Sequence, residues 1–169
     1  MTRPSHRPFP RWLALALITA LAAALRLIAI GMLPPGLYRD EAFNGLDALG
    51  VLDGRLTLFF EANNGREPLF IYLAAAGVGL LGRTPAALRL VSAVAGTLTV
   101  PATYALARAW FDRRIALLAA FLCATTTWTV NLSRIAFRAV LMPPLVAASL
   151  ALLWIGLTRR RPAHLVWAG

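Results

Sequence analysis

The sequence has no lysine and few acidic residues. All 17 basic residues are arginine, and Asp and Glu together number seven in a chain of 169 residues. Charged residues account for 14% of the chain and hydrophobic residues for 59%, whereas in soluble domains about a quarter of the residues are charged. This composition excludes an ordinary soluble domain and places the chain among integral membrane proteins.

Cysteine is also scarce, since Cys123 is the only one in the sequence and lies in an apolar run. An intrachain disulfide is therefore impossible, and no metal site can be built from several cysteines. The net charge of +10 would suggest a nucleic-acid partner for a soluble protein. Here the arginines lie mainly at the ends of apolar runs, where they orient helices in a bilayer, so we expect no binding of nucleic acid.

Long apolar runs are what the chain has instead. A helix needs about 20 residues to cross about 30 Å of hydrocarbon. A run of 13 residues, 69–81, would rise only about 20 Å as a helix and is too short to cross comfortably. Four other runs reach or approach the required length, and we predict that they span the membrane: 12–33, 88–110, 115–132 and 139–157.

The distribution of arginine predicts the orientation of these spans. The basic N-terminus, residues 1–11, is expected in the cytoplasm by the positive-inside rule. If the run 69–81 crossed, the Arg-rich turns 111–114 and 158–161 would both lie outside, against that rule. If it lies on the membrane surface or re-enters, both turns lie inside and residues 34–87 form one external loop. We adopt this second layout, in what we expect to be a bacterial plasma membrane.

The external loop is predicted to contain two short helices. Apolar residues recur at helical spacing between 42 and 52, which indicates an amphipathic helix over about 40–53. A second helix is predicted over about 68–82, and the intervening segment EANNGREP is typical of a turn. The predicted fold class is therefore all-α: a polytopic membrane helical bundle whose external loop carries two short membrane-surface helices.

Six of the seven acidic residues lie between positions 40 and 67. Asp40 and Glu41 follow the first span by only a few residues, and carboxylates near the hydrocarbon boundary are costly unless they are paired or lie in a wet cavity. Charge alone leaves two explanations open for this pair, a functional site and the solubility of the loop. For Asp53 and Glu61, solubility is the favoured explanation.

Three arginines are expected on the same outer side as Asp40. Arg89 opens the second span, and Arg134 and Arg138 bracket the external turn SRIAFR. A guanidinium group binds phosphate through a planar fork of donors, so the set indicates a site for a phosphate-bearing lipid. The alternative for each arginine taken alone is that it extends to lipid headgroups.

Several blocks of sequence together resemble one family of membrane enzymes. They are RDEAFNGLDA, REPLFIYL, ALRLVSAVAGTLTVPATYALARAWFDRRIALLAAF and NLSRIAFRAVLMPP. In this order they resemble the C superfamily of membrane glycosyltransferases, and within it family 39, which includes protein O-mannosyltransferases, aminoarabinose transferases and bacterial relatives. Members are longer and have more spans. The chain thus resembles the N-terminal part of such an enzyme, and we expect it to be inactive alone.

The resemblance implies the transfer of a sugar from a polyprenyl-phosphate donor, at the outer face of the membrane and with inversion at the anomeric carbon. Asp40 matches the family's catalytic aspartate, and Glu41 matches the acid beside it. The resemblance also implies that Arg89, Arg134 and Arg138 bind the donor phosphate. The expected partners are this donor, membrane lipids, and an acceptor that is a lipid, a protein or a glycan.

The resemblance also implies a metal ligand. Glu67 matches a position at which some relatives bind a divalent ion, so such an ion is a candidate cofactor. The chain departs from the family pattern here, because it has Glu-Pro-Leu where His or Lys followed by two prolines is common. Asn44 and Tyr72 are candidates for lining the site, and the alternative for Tyr72 is an anchor at the membrane interface.

Two other functions are consistent with parts of the sequence. Intramembrane arginine and an acidic external mouth also suit a transporter or a lipid flippase, although we find no internal repeat of the kind common in transporters. A non-enzymatic membrane scaffold is the third possibility, and it predicts that Asp40→Asn is harmless. The sequence does not identify the sugar, the polyprenol or the acceptor.

Overall fold

The protein is a bundle of α-helices. The computed structural model describes residues 12–159 and 162–168, which contain no β-sheet, and the predicted all-α class is confirmed. The basic residues within 1–11 and at 160–161, on which the predicted orientation partly rests, lie outside the described residues. The helices are α1 (Leu13–Leu27), α2 (Arg39–Leu52), α3 (Pro68–Leu81), α4 (Pro85–Trp110), α5 (Arg113–Thr125), α6 (Thr127–Ser133), α7 (Met142–Arg159) and α8 (Pro162–Val166), and a short 3-10 helix, Arg138–Leu141, leads into α7.

Two described helices are long and apolar enough to cross a membrane, namely α4 and the continuous stretch Arg138–Thr158. A third candidate span consists of α5 and α6 together, which are bent by 56° at Thr126. Helices α1 and α3 are apolar but have only 15 and 14 residues. The predicted first span, 12–33, is therefore helical only over Leu13–Leu27.

A contact from a distant residue explains why α1 is shorter than predicted. The guanidinium of Arg134 donates hydrogen bonds to the carbonyl groups of Leu25 and Ile28, at 2.7 and 2.8 Å. These carbonyls lie at the helix end, where further helical N–H partners are missing. Ala29 then adopts a φ of +54°, which directs the chain out of the helix. Residues 28–38 form an irregular linker.

Arg26 occupies the bend between α5 and α6. Its side chain is fully buried, and it donates to the carbonyl groups of Ala124 at 3.1 Å and Cys123 at 3.4 Å. Both carbonyls lie in the last turn of α5, where the helix dipole favours a cation. Gly96 of α4 makes room for this arrangement, because a Cβ at that position would lie 2.0 Å from the Ser133 hydroxyl oxygen.

Helix α4 is the centre of the bundle and packs against α1, α3, α5, α6 and α7. Small residues permit the close approach of apolar helices. Val100 of α4 accordingly meets Ala22 of α1 and Ala120 of α5 in a fully buried cluster. This packing places the first residues of α4 at the end of the bundle where the loop between α1 and α4 lies.

Helices α2 and α3 are the two short helices of that loop, and their bounds lie within one residue of the predicted ones. Helix α3 begins at Pro68, whose fixed φ suits the first helical position, and ends before Gly82, which has a φ of +87°. The two helices pack on each other and α3 packs on α4. Their shared core contains Ala48, Phe70, Ala74, Val78 and Leu88.

The predicted layout can be tested at the two ends of α4. Arg83 precedes this helix and Arg114 follows it, and both side chains are exposed. In a Cys123→Ala background, we expect a cysteine at position 83 to react with an impermeant thiol reagent from outside and one at 114 only from the cytoplasmic side. The reason is that a 26-residue helix lies between them. Labelling of both positions from the same side would contradict the layout.

Candidate active site

The carboxylate of Glu41 is buried at one end of the bundle, with 1% of its side chain exposed. One oxygen accepts hydrogen bonds from Arg89 Nε at 2.7 Å and from the backbone N–H of Ala136 at 2.8 Å. The other accepts from Arg89 at 3.0 Å and from the backbone N–H of Tyr38 at 2.9 Å. These bonds fix α2 relative to α4 and to the segment 134–138.

Arg89 is also fully buried, and its five N–H groups all donate to oxygen atoms of the protein. Two of them bind Glu41. The others bind the carbonyl groups of Ile30, Pro34 and Gly36 at 3.0, 2.9 and 2.5 Å. Arg89 therefore holds the linker after α1 against Glu41. Its role in binding the donor phosphate stays a prediction.

Opposing effects act on the ionisation of Glu41. Burial raises the pKa of this carboxyl group, whereas the hydrogen bonds from Arg89, Tyr38 and Ala136 and the charge of Arg89 lower it. The net result is a pKa below the usual value of 4.5, because the bonds to the charged form outweigh the loss of hydration. Glu41 is thus ionised at neutral pH and forms a buried ion pair with Arg89.

A second polar network continues along α2. Asn44 donates to the carbonyl of Ala136 at 2.8 Å and accepts from Arg66 at 2.6 Å. Arg66 is 2% exposed and also forms an ion pair with Asp47. Both the N–H and the carbonyl of Ala136 are therefore bound by side chains of α2, through Glu41 and Asn44.

Asp40 lies beside this network in a polar cavity of about 130 Å³, here termed the Asp40 cavity. One of its oxygens accepts a hydrogen bond from the Asn63 side chain at 2.8 Å, and the other has no partner among the described residues. Consecutive residues of a helix point about 100° apart, so α2 can bury Glu41 and still present Asp40. The cavity is lined by Asp40, Asn44, Asn63, Asn64, Arg66, Phe137 and Arg138.

Arg138 brings a positive charge to the Asp40 cavity. Its guanidinium donates to the carbonyl of Gly65 at 3.0 Å and to Glu67 at 2.7 Å. Its other N–H groups have no acceptor in the part of the chain that the structure describes. The cavity therefore contains a carboxylate oxygen and guanidinium donors that are both available to a ligand.

Glu67 is 76% exposed and forms an ion pair with Arg138. A hydrogen bond from its own backbone N–H and the neighbouring Arg138 lower the pKa of this carboxyl group. Among the described residues, no group of three or more His, Cys, Asp and Glu side chains could hold a metal ion. The described residues thus form no protein cage for a divalent ion, and we assign no catalytic step to a metal. Glu67 as a metal ligand stays a prediction.

Besides Glu41, Glu67 and Arg89, two more predicted site residues, Arg134 and Tyr72, do not line the Asp40 cavity. Arg134 caps the end of α1 and lines a separate apolar groove. Tyr72 donates its hydroxyl hydrogen to the carbonyl of Thr57 at 3.0 Å and packs edge-on against Phe60. The roles predicted for them, phosphate binding and lining of the site, stay predictions.

Four residues of the cavity were not predicted from the sequence, namely Asn63, Asn64, Arg66 and Phe137. Asn63 has a φ of +53°, a conformation that asparagine tolerates better than most residues, and this bend directs its amide to Asp40. The Asn-Asn-Gly sequence predicts the bend at this position. It does not predict the partner of the Asn63 amide, which is Asp40, 23 positions away. Phe137 is held through its N–H, which donates to the Ser92 hydroxyl at 3.1 Å.

The fold and this cavity define a class of protein: a polytopic helical membrane protein that presents a carboxylate and a guanidinium together at one end of the bundle. A family model described as dolichyl-phosphate-mannose-protein mannosyltransferase matches residues 65–169. Because the match covers more than half of the chain, the chain belongs to this family. Comparisons with curated proteins and with solved structures found no significant match.

Membership establishes the general character of the protein. The family consists of membrane glycosyltransferases of the C superfamily, which use polyprenyl-phosphate sugar donors. The apolar helices and the family together indicate an integral membrane protein. Asp40 and Glu41 precede the matched region, so the roles of these two acids depend on the geometry described above.

Glu41→Gln is expected to destabilise the protein. The substitution leaves the buried guanidinium of Arg89 without its counter-charge, and removal of one partner from a buried ion pair costs about 3–5 kcal/mol. Thermal unfolding in detergent would measure this loss. Glu61→Gln is the control, because Glu61 is an exposed acid of the same loop. Equal unfolding temperatures for the two variants would contradict the structural role of Glu41.

The lowered pKa of Glu41 predicts how the difference in stability between the wild type and Glu41→Gln depends on pH. A carboxyl group with a depressed pKa contributes its full stability above the unfolded value of about 4.5 and loses it as the pH falls through the lower folded pKa. The wild type should therefore be more stable than Glu41→Gln at neutral pH and should approach it below pH 4.5. If the difference in stability between the two proteins stayed constant down to the lowest pH at which both fold, the lowered pKa of Glu41 would be contradicted.

Proposed function

We propose that this protein transfers a hexose or pentose from a polyprenyl-phosphate donor to an acceptor at the outer face of the membrane, with inversion and with Asp40 as the general base. The observation that carries this proposal is the Asp40 cavity. It combines a carboxylate oxygen that has no partner in the described part of the chain with the guanidinium of Arg138. Family membership supports the donor class.

Asp40 is suited to accept a proton from the acceptor. Its first oxygen is oriented by Asn63 at 2.8 Å, and its second oxygen is available to a hydroxyl group. The acceptor hydroxyl oxygen attacks the anomeric carbon and loses its proton to Asp40, while the bond between that carbon and the phosphate oxygen breaks. A positioned carboxylate contributes to such a step by taking the proton as it is released. One displacement of this kind inverts the anomeric carbon.

Arg138 is suited to stabilise the leaving group. The polyprenyl phosphate gains negative charge as the glycosidic bond breaks, and fixed donors aimed at developing charge lower the barrier. The bonds of Arg138 to Gly65 and Glu67 orient its guanidinium. Arg89 acts indirectly in this proposal, because it positions Glu41 and hence the first turn of α2.

Asp40→Asn is expected to lower turnover by about 10²–10⁴-fold, which is the usual contribution of a general base. The assay uses the longest open reading frame that contains this sequence, expressed in membranes and supplied with a panel of polyprenyl-phosphate sugars, and it measures release of polyprenyl phosphate. Asp53→Asn is the matched control, because Asp53 is an exposed acid at the other end of α2. Undiminished release by a folded Asp40→Asn variant would overturn the proposal.

Arg138→Gln is expected to lower the rate of the same reaction by about 10²-fold or more, the usual cost of losing one donor to a developing anion. Arg83→Gln removes an exposed arginine outside the Asp40 cavity and should be neutral. Rates at saturating donor separate this effect from weaker donor binding. If only the donor KM changed, Arg138 would bind the ground state without stabilising the leaving phosphate.

A further inference from the structure

A second polar cavity, here termed the Asp47 cavity, lies between α2 and the loop 55–61. Its volume is about 260 Å³, compared with about 130 Å³ for the Asp40 cavity. Pockets for drug-sized ligands have volumes of about 300–1,000 Å³, so this cavity suits one small ring rather than a long chain. The charged and aromatic residues that line it are Asp47, Arg55, Phe59, Phe60 and Glu61.

The charged side chains of the Asp47 cavity leave both donors and acceptors available. Asp47 is paired with Arg66 through one oxygen only, whereas the guanidinium of Arg55 and the carboxylate of Glu61 have no partner within the described part of the chain. Two carboxylates and two guanidinium groups meet here, so a charged ligand would lie beside a like charge. A neutral ligand with hydroxyl groups, each of which donates and accepts, matches both kinds of group.

Phe59 adds an aromatic surface beside these polar groups. It is 60% exposed, and its ring packs against Gly65, where a Cβ would lie 2.5 Å from the Phe59 Cζ. A sugar ring places its C–H groups on an aromatic surface of this kind, while the hydroxyl groups at its edge bind planar donors and acceptors. The combination of Phe59, Arg55 and Glu61 therefore fits a neutral sugar unit.

The wall that carries Phe59 is fixed by hydrogen bonds of the protein. The N–H of Phe60 donates to the carbonyl of Arg66 at 3.1 Å, and the N–H of Arg66 donates to the carbonyl of Phe60 at 2.8 Å. The Tyr72 hydroxyl donates to the carbonyl of Thr57 at 3.0 Å. Since this wall is already ordered, a ligand loses little affinity to the cost of ordering it.

Arg66 connects the Asp47 cavity to the Asp40 cavity. It lines the Asp40 cavity, donates to Asn44 at 2.6 Å and forms an ion pair with Asp47. Asp40 and Asp47 are seven positions apart on α2, which places them on the same face of the helix and about 10 Å apart along its axis. The two cavities therefore lie side by side along α2, and an acceptor of more than one sugar unit can contact both.

We propose that the Asp47 cavity binds a neutral sugar unit of the acceptor, and that the acceptor is therefore a glycan. This inference rests on the proposed function, because it identifies the acceptor class of the same transfer. The reacting hydroxyl lies at Asp40, and the adjacent sugar unit packs on Phe59 and binds Arg55. A peptide acceptor is disfavoured because the described lining residues form neither a strand edge nor an apolar groove, the surfaces that commonly bind peptides.

Saturation-transfer NMR tests the binding of the acceptor without turnover. The sample is full-length protein with Asp40→Asn in lipid nanodiscs, and the probes are neutral di- and trisaccharides of hexoses and, separately, peptides rich in serine and threonine. We expect magnetisation transfer to the ring protons of a saccharide and none to the peptides. Transfer to peptides only, or to no saccharide, would overturn the proposal.

A matched pair of substitutions assigns this binding to the Asp47 cavity. Phe59→Ala should raise the saccharide Kd at least tenfold, as expected for the loss of an anchoring aromatic residue. Leu58→Ala is the control, because Leu58 is 89% exposed and does not line the cavity, and it should change the Kd less than twofold. Equal effects of the two substitutions would overturn the proposal.

Kinetics of the full-length enzyme provide a second readout. We expect Arg55→Gln to raise the KM for a saccharide acceptor at least tenfold, while the KM for the donor and the rate at saturating acceptor change less than twofold. An unchanged acceptor KM would overturn the proposal. Saccharide binding that depends on Phe59, together with full activity of Asp40→Asn, would refute the proposed function but not the assignment of the Asp47 cavity. Loss of transfer in Asp40→Asn without any saccharide binding would refute the assignment but not the proposed function.

Discussion

The ion pair between Glu41 and Arg89 is the interaction on which the organisation of this end of the bundle depends. It is buried, and its two side chains also bind the linker after α1 and the backbone of Ala136. Three separate parts of the chain therefore meet at one pair of charges. Their burial is costly, and the many hydrogen bonds to both groups offset that cost.

This ion pair gives two adjacent acids different roles. Glu41 points into the bundle, and both of its carboxylate oxygens accept hydrogen bonds, so its charge stabilises the fold. Asp40, one position earlier, points into a polar cavity and keeps one oxygen available. Because Glu41 and Asn44 also bind Ala136, the same helix holds the segment that carries Arg138, and Arg138 lines the same cavity as Asp40. The geometry of the candidate site is thus a consequence of the buried pair.

The short helices could be predicted from the sequence because their signals are local. Apolar spacing, Pro68 and Gly82 define α2 and α3 to within one residue. The early end of α1 and the bend at Thr126 could not be predicted, because they depend on Arg134 and Arg26 binding carbonyl groups of distant helices. For the same reason, sequence spacing identified the pair of acids at 40–41 but not which one is buried. That choice depends on Arg89, which lies 48 positions further along the chain.

The central claim is that Asp40 acts as the general base in sugar transfer, whereas Glu41 stabilises the fold through its ion pair with Arg89. The most direct test is the rate of sugar transfer per folded molecule, at saturating donor, for full-length Asp40→Asn and Glu41→Gln side by side. The account predicts that the folded fraction of Glu41→Gln still transfers sugar, whereas fully folded Asp40→Asn shows almost no transfer. The opposite pattern, with activity retained in Asp40→Asn and lost in folded Glu41→Gln, would contradict it.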